Sequence, residues 1–301
     1  MDCKEAIIIF ENNTKKSVVQ IERCSVGTAN YVFVVFTAAE KFILRCSKEE
    51  NAYKATAYWL SKLSACEIPI PAVLAKGTYR DYSYLILSYI PGDDIGNVYG
   101  KLDDSEKKQI SKEVVEIQRR VSGIDISTDT EWTWNSFIDK LLNRADERIN
   151  RRHYFDTDKI HIVKKLQQEM KEYLDAVRPI PYLDDISTKN LLIYEGKVSG
   201  IIDIDWIGLG DKLTFVALTK VALLNMDLDT KYIDYLLDEI HPNKPEYKAF
   251  VFYCLLYCVD FMGERGMQFL DKKIPINESI VKRLNDIFDI LMGEWNKCCE
   301  R

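Results

Sequence analysis

Short apolar runs dominate the chain before residue 95, and helical spacing takes over after it. SVVQIERC (17–24), YVFVVFT (31–37) and KFILRC (41–46) are rich in Val, Ile and Phe and separated by turn-like segments, which predicts three strands. In NAYKATAYWLSKLSA (51–65) the period changes: Tyr53, Ala57, Leu60 and Leu63 share one face of a helix. IPIPAVLAKGTYRDYSYLILSYI (68–90) predicts two further strands around a turn at Gly77–Asp81, and PGDD (91–94) closes the region. Helices follow at DDSEKKQISKEVVEIQRRVS (103–122), capped by Asp103 or Asp104, and at TWNSFIDKLLNRADERINRR (133–152) and TDKIHIVKKLQQEMKEYLDAV (157–177). YLDDISTKNLLIYEGKVSGIIDIDW (182–206) interrupts them with two short strands before helical spacing resumes over 213–295. The expected layout is α+β: a strand-rich lobe over 1–91 and a helical lobe over 92–301 carrying one β-hairpin, joined at the hinge YIPG (89–92).

The interrupting segment holds the candidate chemistry. Asp185 ends a short run after two prolines, and Asn190 follows five residues later at the start of LLIYE. EGK (195–197) reads as a tight hairpin connection, so VSGIID returns Asp203 to the end where Asn190 lies. Carboxylate and amide oxygens converging in this way suit a hard cation such as Mg²⁺, which keeps water and phosphate oxygens as its other ligands. The three histidines, His153, His161 and His241, all lie outside the segment, which disfavours softer metals.

Bulk properties narrow the field. With 41 Lys+Arg against 47 Asp+Glu the net charge is −6, so the basic footprint of a nucleic-acid binder is missing. The eight cysteines form no CxxC pair, and Cys254 and Cys258, four apart in an apolar stretch, read as core thiols. The N-terminal MDCKEAIIIFENN lacks the basic start and long apolar core of a leader, and the apolar runs are too short to span a bilayer, so a cytoplasmic protein without a membrane partner is expected. The tryptophans Trp132, Trp134, Trp206 and Trp295 are expected in the core.

DISTKN followed by GIIDID resembles the paired motifs H-G-D-x-x-x-x-N and I-D-F/W of the aminoglycoside phosphotransferase family, a branch of the protein-kinase-like fold. Asp211, in WIGLGDKL, matches that family's downstream acidic residue and is expected to be structural, and FILRCSKEENAYKATAYWLSKLSACEIPIPAVLAKG (42–77) looks most like the hygromycin phosphotransferase branch. The resemblance implies a two-lobe kinase-like fold, a five-stranded antiparallel N-terminal lobe, and transfer of the γ-phosphate of ATP or GTP to a hydroxyl. Asp185 would accept or orient the hydroxyl proton, while Asn190 and Asp203 would hold Mg²⁺. Arg45 would stand where the family has a phosphate-pairing lysine, the backbone of Ser88, Tyr89 and Ile90 would meet the base, and VGTAN (26–30), with Gly27 and Thr28, would cover the phosphates. The implied partners are a nucleotide and a small acceptor, with the protein a monomer or dimer. An aminoglycoside-like or other amine-bearing acceptor is favoured, and Asp205, Asp260 and Glu264 are candidate contacts for it. A metabolic kinase for a choline- or homoserine-like acceptor, or a nucleotide-binding pseudokinase, stands as the alternative. Two departures bear on activity: Leu183–Asp184 replaces the usual His-Gly, setting a second carboxylate beside Asp185, and Arg45 replaces lysine.

Overall fold

The computed structural model describes residues 1–24, 31–126, 132–269 and 272–299. Strands β1 (Gln20–Arg23), β2 (Tyr31–Phe36), β3 (Lys41–Ser47), β4 (Val73–Tyr79) and β5 (Tyr82–Ser88) form one antiparallel sheet in the order β1-β2-β3-β5-β4. The sheet has two differently covered faces. On one, Phe33, Val35, Phe42, Leu44, Cys46 and Ile86 pack against Ala6, Ile9 and Phe10 of helix α1 (Cys3–Thr14). This helix was not expected, although its capping box, Asp2 with Glu5, is written in the sequence. On the other, Leu85 and Leu87 join Leu60 and Leu63 of α2 (Lys54–Ser64) in a cluster that runs on into the helical lobe.

Past the hinge come β6 (Asp93–Asp94), α3 (Ile95–Val98), a 3₁₀ turn (Tyr99–Lys101) and α4 (Asp104–Ser122). Asp103 caps α4 in a capping box with Glu106. Then follow α5 (Trp134–Arg152), α6 (Asp158–Glu169) and α7 (Lys171–Ala176); the predicted helix over 157–177 is broken at Met170. The last helices are α8 (Thr214–Asn225), α9 (Lys231–Ile240), α10 (Lys244–Glu264) and α11 (Glu278–Cys299), with a small ribbon of β11 (Gln268–Phe269) and β12 (Lys272–Lys273) between the last two. The residues Ala249–Val259 of α10 are buried almost without interruption, so this helix is the axis around which the lobe packs. Cys254 and Cys258 are fully buried there, and burial raises both thiols, that of Cys254 to about 12, as expected of inert core residues.

The expected hairpin is β8 (Leu191–Tyr194) and β9 (Lys197–Ile201), extended to three strands by β6 pairing with β8. Its two-residue loop is Glu195–Gly196, with φ of 50° and 74°, the backbone that a tight hairpin turn of matching twist demands. A second ribbon, β7 (Ile180–Tyr182) with β10 (Gly208–Gly210), had no counterpart among the expected elements. The two ribbons bracket the segment between β7 and β8, and so hold it at both ends.

Candidate active site

Residues 183–190 form the loop between the ribbons. Leu183, where a histidine is usual, is 3 % exposed and lies in the main core, as a packing residue. Its backbone is held by a residue that sequence reasoning passed over. Gln118 of α4 donates from Nε2 to the Leu183 carbonyl (2.7 Å) and accepts the Leu183 N–H on Oε1 (2.9 Å). The signal was present: Gln118 sits among Ile110, Val114, Ile117 and Val121, a polar side chain on a buried helical face.

Asp184 accepts the N–H of Asp185 (2.9 Å), closing the turn that presents the next side chain. Burial, and then the charge of Asp185, push its carboxyl up from 3.8 to about 6. The folded state therefore binds this proton more tightly than the unfolded chain. The associated stability is complete below about pH 4 and is lost as pH rises through about 6. Asp184→Asn, which keeps an acceptor for the turn, is expected to stabilise the protein at pH 7.5 by as much as about 3 kcal/mol and to change little near pH 4. Urea unfolding at the two pH values checks this; equal effects at both would contradict it.

Asp185 opens to solvent, yet its carboxyl is held above the ordinary range by the surrounding protein and then by the charge of Asp203. Lys189 and a hydrogen bond from Asn190 work in the opposite direction. Asn190 is buried, and its carbonyl accepts the N–H of Ile202 (2.9 Å), so the start of β8 is tied to the end of β9. That bond brings Asp203 alongside. Asp203 has a φ of 60°, a left-handed backbone that aspartate tolerates better than most residues. The side-chain oxygens of Asn190 and Asp203 fit a hard divalent cation, and the repulsion between Asp185 and Asp203 is of the kind such an ion relieves.

The strand-rich lobe adds one cation. Arg45 stands on β3, nearly buried, and its Nη2 lies 3.1 Å from Asp203 Oδ1. Both terminal nitrogens also lie 3.4 Å from the two oxygens of Asp205. Asp205, expected at the acceptor, is thus turned toward β3 and α2, where Thr56 donates to it at 2.6 Å. Trp206, expected in the core, is 58 % exposed, while Trp134 and Trp295 are buried.

At the hinge, the Ser88 hydroxyl accepts the Ala72 N–H (2.8 Å) and the Ser88 N–H donates to the Ala72 carbonyl (2.9 Å). Lys41 lies over the Tyr89 ring. Ile90 rests on Gly200 so closely that a Cβ there would meet its Cδ1 at 2.5 Å, which joins the hinge to β9. Gly27 and Thr28 lie outside the described residues.

Asp260 and Glu264 face α5. Asp260 is 7 % exposed and is paired with Arg144 (3.1 Å) and Arg148 (3.5 Å), and Glu264 lies 3.8 Å from Arg148. The two carboxylates are not an open acidic wall; each has an arginine in front of it. Asp211, as expected, is structural. Buried at 5 %, it accepts from Tyr173 Oη (2.7 Å), Tyr253 Oη (3.1 Å) and the Leu213 N–H (2.9 Å), directly after β10. Tyr253 in turn accepts from Trp134 Nε1 (2.9 Å).

A five-stranded sheet hinged to a helical lobe, with a loop carboxylate, an asparagine and a hairpin carboxylate facing a cation from the sheet, defines a kinase-like phosphotransferase architecture. Residues 20–250 match the phosphotransferase enzyme family, and the chain belongs to it. It is 25 % identical over 227 residues to an aminoglycoside 3'-phosphotransferase of Enterococcus faecalis, covering 69 % of this chain and 81 % of the relative. It is 24 % identical over 185 residues to a probable ketoamine kinase of Staphylococcus aureus, covering 58 % of this chain and 63 % of that protein's own length. Among solved structures, a thermostable mutant of aminoglycoside phosphotransferase APH(4)-Ia, in ternary complex with ADP and hygromycin B, superposes with a TM-score of 0.65 at 16 % identity, over 98 % of this chain and 97 % of that one. At that identity the likeness is one of fold. No helix among the described residues is long and apolar enough to cross a membrane.

Proposed function

We propose that the protein transfers the γ-phosphoryl group of ATP or GTP to a hydroxyl of an amine-bearing small molecule, aminoglycoside-like in character. One observation carries this reading: Asp203 lies against both Asp185 and Arg45, and Asn190 is hydrogen-bonded to Asp185, so the four side chains come together from the sheet and the helical lobe. Asp185, which pairs with no arginine among the described residues, would orient the acceptor hydroxyl and take its proton. Lys189 and the Asn190 amide favour its ionised form against the pull of Asp203. Arg45 presents a planar fork to phosphate oxygens. Asn190 and Asp203 would hold Mg²⁺, which when bound neutralises charge on the phosphates. The backbone at Ser88, Tyr89 and Ile90 would receive the base, and Gly27 and Thr28, outside the described residues, are the further candidates for contact with the phosphates. In this reading residues 1–91 serve the nucleotide and 92–301 carry the catalytic loop and the acceptor site.

The amine in the acceptor is supported by the two relatives named above, one an aminoglycoside 3'-phosphotransferase and the other a probable ketoamine kinase. The exposed indole of Trp206, three residues from Asp203, offers a face on which a sugar ring or ammonium group can rest. Asp260 and Glu264 would take part only by exchanging their arginines for the amines of the acceptor. The reading is tested by nucleoside diphosphate release with Mg²⁺ across a panel of aminoglycosides, aminated sugars and amino alcohols. At least one member is expected to raise release well above the acceptor-free rate. Mg²⁺-dependent nucleotide binding with no stimulation by any member would favour a pseudokinase.

A further inference from the structure

In protein kinases the phosphate-pairing lysine of the third strand is held in place by a glutamate of the following helix. The corresponding helix here has no carboxylate: α2 reads KATAYWLSKLS. Arg45 nevertheless sits nearly buried on β3, a costly position for an unpaired guanidinium. Its charge is met from the other lobe. Asp205 faces it with both oxygens, each 3.4 Å from a different terminal nitrogen, in the fork-to-fork arrangement peculiar to arginine and carboxylate. The Asp205 carboxylate is itself fixed from α2, where Thr56, 2 % exposed, donates at 2.6 Å. The Tyr53 ring lies 5.4 Å from the guanidinium and closes its remaining side. Arg45 also touches Asp203, but that carboxylate would be claimed by Mg²⁺ when nucleotide binds, whereas Asp205, held by Arg45 and Thr56, would stay with Arg45.

We infer that Asp205 is the positioning residue for Arg45, with Thr56 as its anchor, so that the helical lobe and not α2 aims the phosphate-gripping cation. The substitutions then belong together: an arginine for the fork, an aspartate two residues beyond Asp203 to meet it, and a hydroxyl on α2 where a carboxylate would compete. The inference rests on the proposed phosphotransfer reading, but it is tested by binding and needs no acceptor. Equilibrium titrations with a fluorescent ATP analogue plus Mg²⁺, and with adenosine, compare wild type, Asp205→Asn and Thr56→Val. Asp205→Asn is expected to weaken triphosphate binding by about 10-fold, and Thr56→Val by a smaller factor, while adenosine, which has no phosphate for Arg45, binds as before. General damage to the lobe would weaken both ligands alike and would count against the inference. Unchanged or tighter triphosphate binding by Asp205→Asn would overturn it, because Asp205 would then be restraining Arg45 away from the phosphates. Absence of any acceptor turnover in wild type sinks the proposed function and leaves this comparison intact.

Discussion

Asp185→Asn is expected to lower acceptor phosphorylation by about 10³-fold while leaving nucleotide affinity within a small factor of wild type. The asparagine keeps the shape of the side chain and its place after Asp184, and it removes a carboxylate that, unlike Asp203 and Asp205, pairs with no arginine among the described residues. It also relieves the repulsion that Asp203 exerts on this position, so the fold is not weakened and binding of the nucleotide has no reason to suffer. Steady-state kinetics on a productive acceptor, with nucleotide binding measured on the same preparation, separates the two effects. A variant that kept more than a tenth of wild-type turnover would move the role of base to another group, and Asp184 would be the first to examine.

Asp211→Ala is expected to have the largest effect on stability, about 3–5 kcal/mol, seen as a fall of roughly 10 °C in the unfolding midpoint. The carboxylate is the meeting point of Tyr173 from α7, Tyr253 from α10 and the N–H of Leu213. Removing it orphans two buried donors and the half-buried Tyr173 hydroxyl at once, and the Trp134–Tyr253 bond loses its orientation with them. Because β10 ends next to Asp211 and pairs with β7, which leads into residues 183–190, turnover should fall as well. That loss should track the unfolded fraction and be recovered at low temperature, unlike the loss in Asp185→Asn. Thermal unfolding followed by near-ultraviolet circular dichroism checks the first part, and activity at two temperatures checks the second.

Local spacing carried much of this structure. The two-residue turn at Glu195–Gly196 and the hairpin that it closes are short-range features, legible without any tertiary information. The succession of five strands with one helix between the third and the fourth followed from runs of Val, Ile and Phe, the turn residues between them and a single change of period. What was not legible depends on partners far away in the chain. Arg45 and Asp205 are separated by 160 residues and Gln118 and Leu183 by 65, and no pattern within a window reports such pairings. The ribbon of β7 and β10 consists of three-residue strands containing Pro181, Gly208 and Gly210, residues that argue against a strand on propensity and are overridden by pairing with each other. Trp206 was assigned to the core on the usual habit of tryptophan, whereas its place after Asp205, whose side chain is held toward β3 and α2, leaves the indole outside. Helix α1 is different, because its capping box and its apolar Ile9 and Phe10 are short-range features visible in the sequence.

We propose that the site around Asp185 moves a phosphoryl group from nucleotide to acceptor. The most direct measurement is the mass of the acceptor after incubation with nucleoside triphosphate, Mg²⁺ and the protein, alongside the amount of diphosphate formed. One phosphoryl group gained per diphosphate released, and no gain with Asp185→Asn, is the predicted result. Diphosphate released at the same rate with or without acceptor, with inorganic phosphate as the only product, would contradict it.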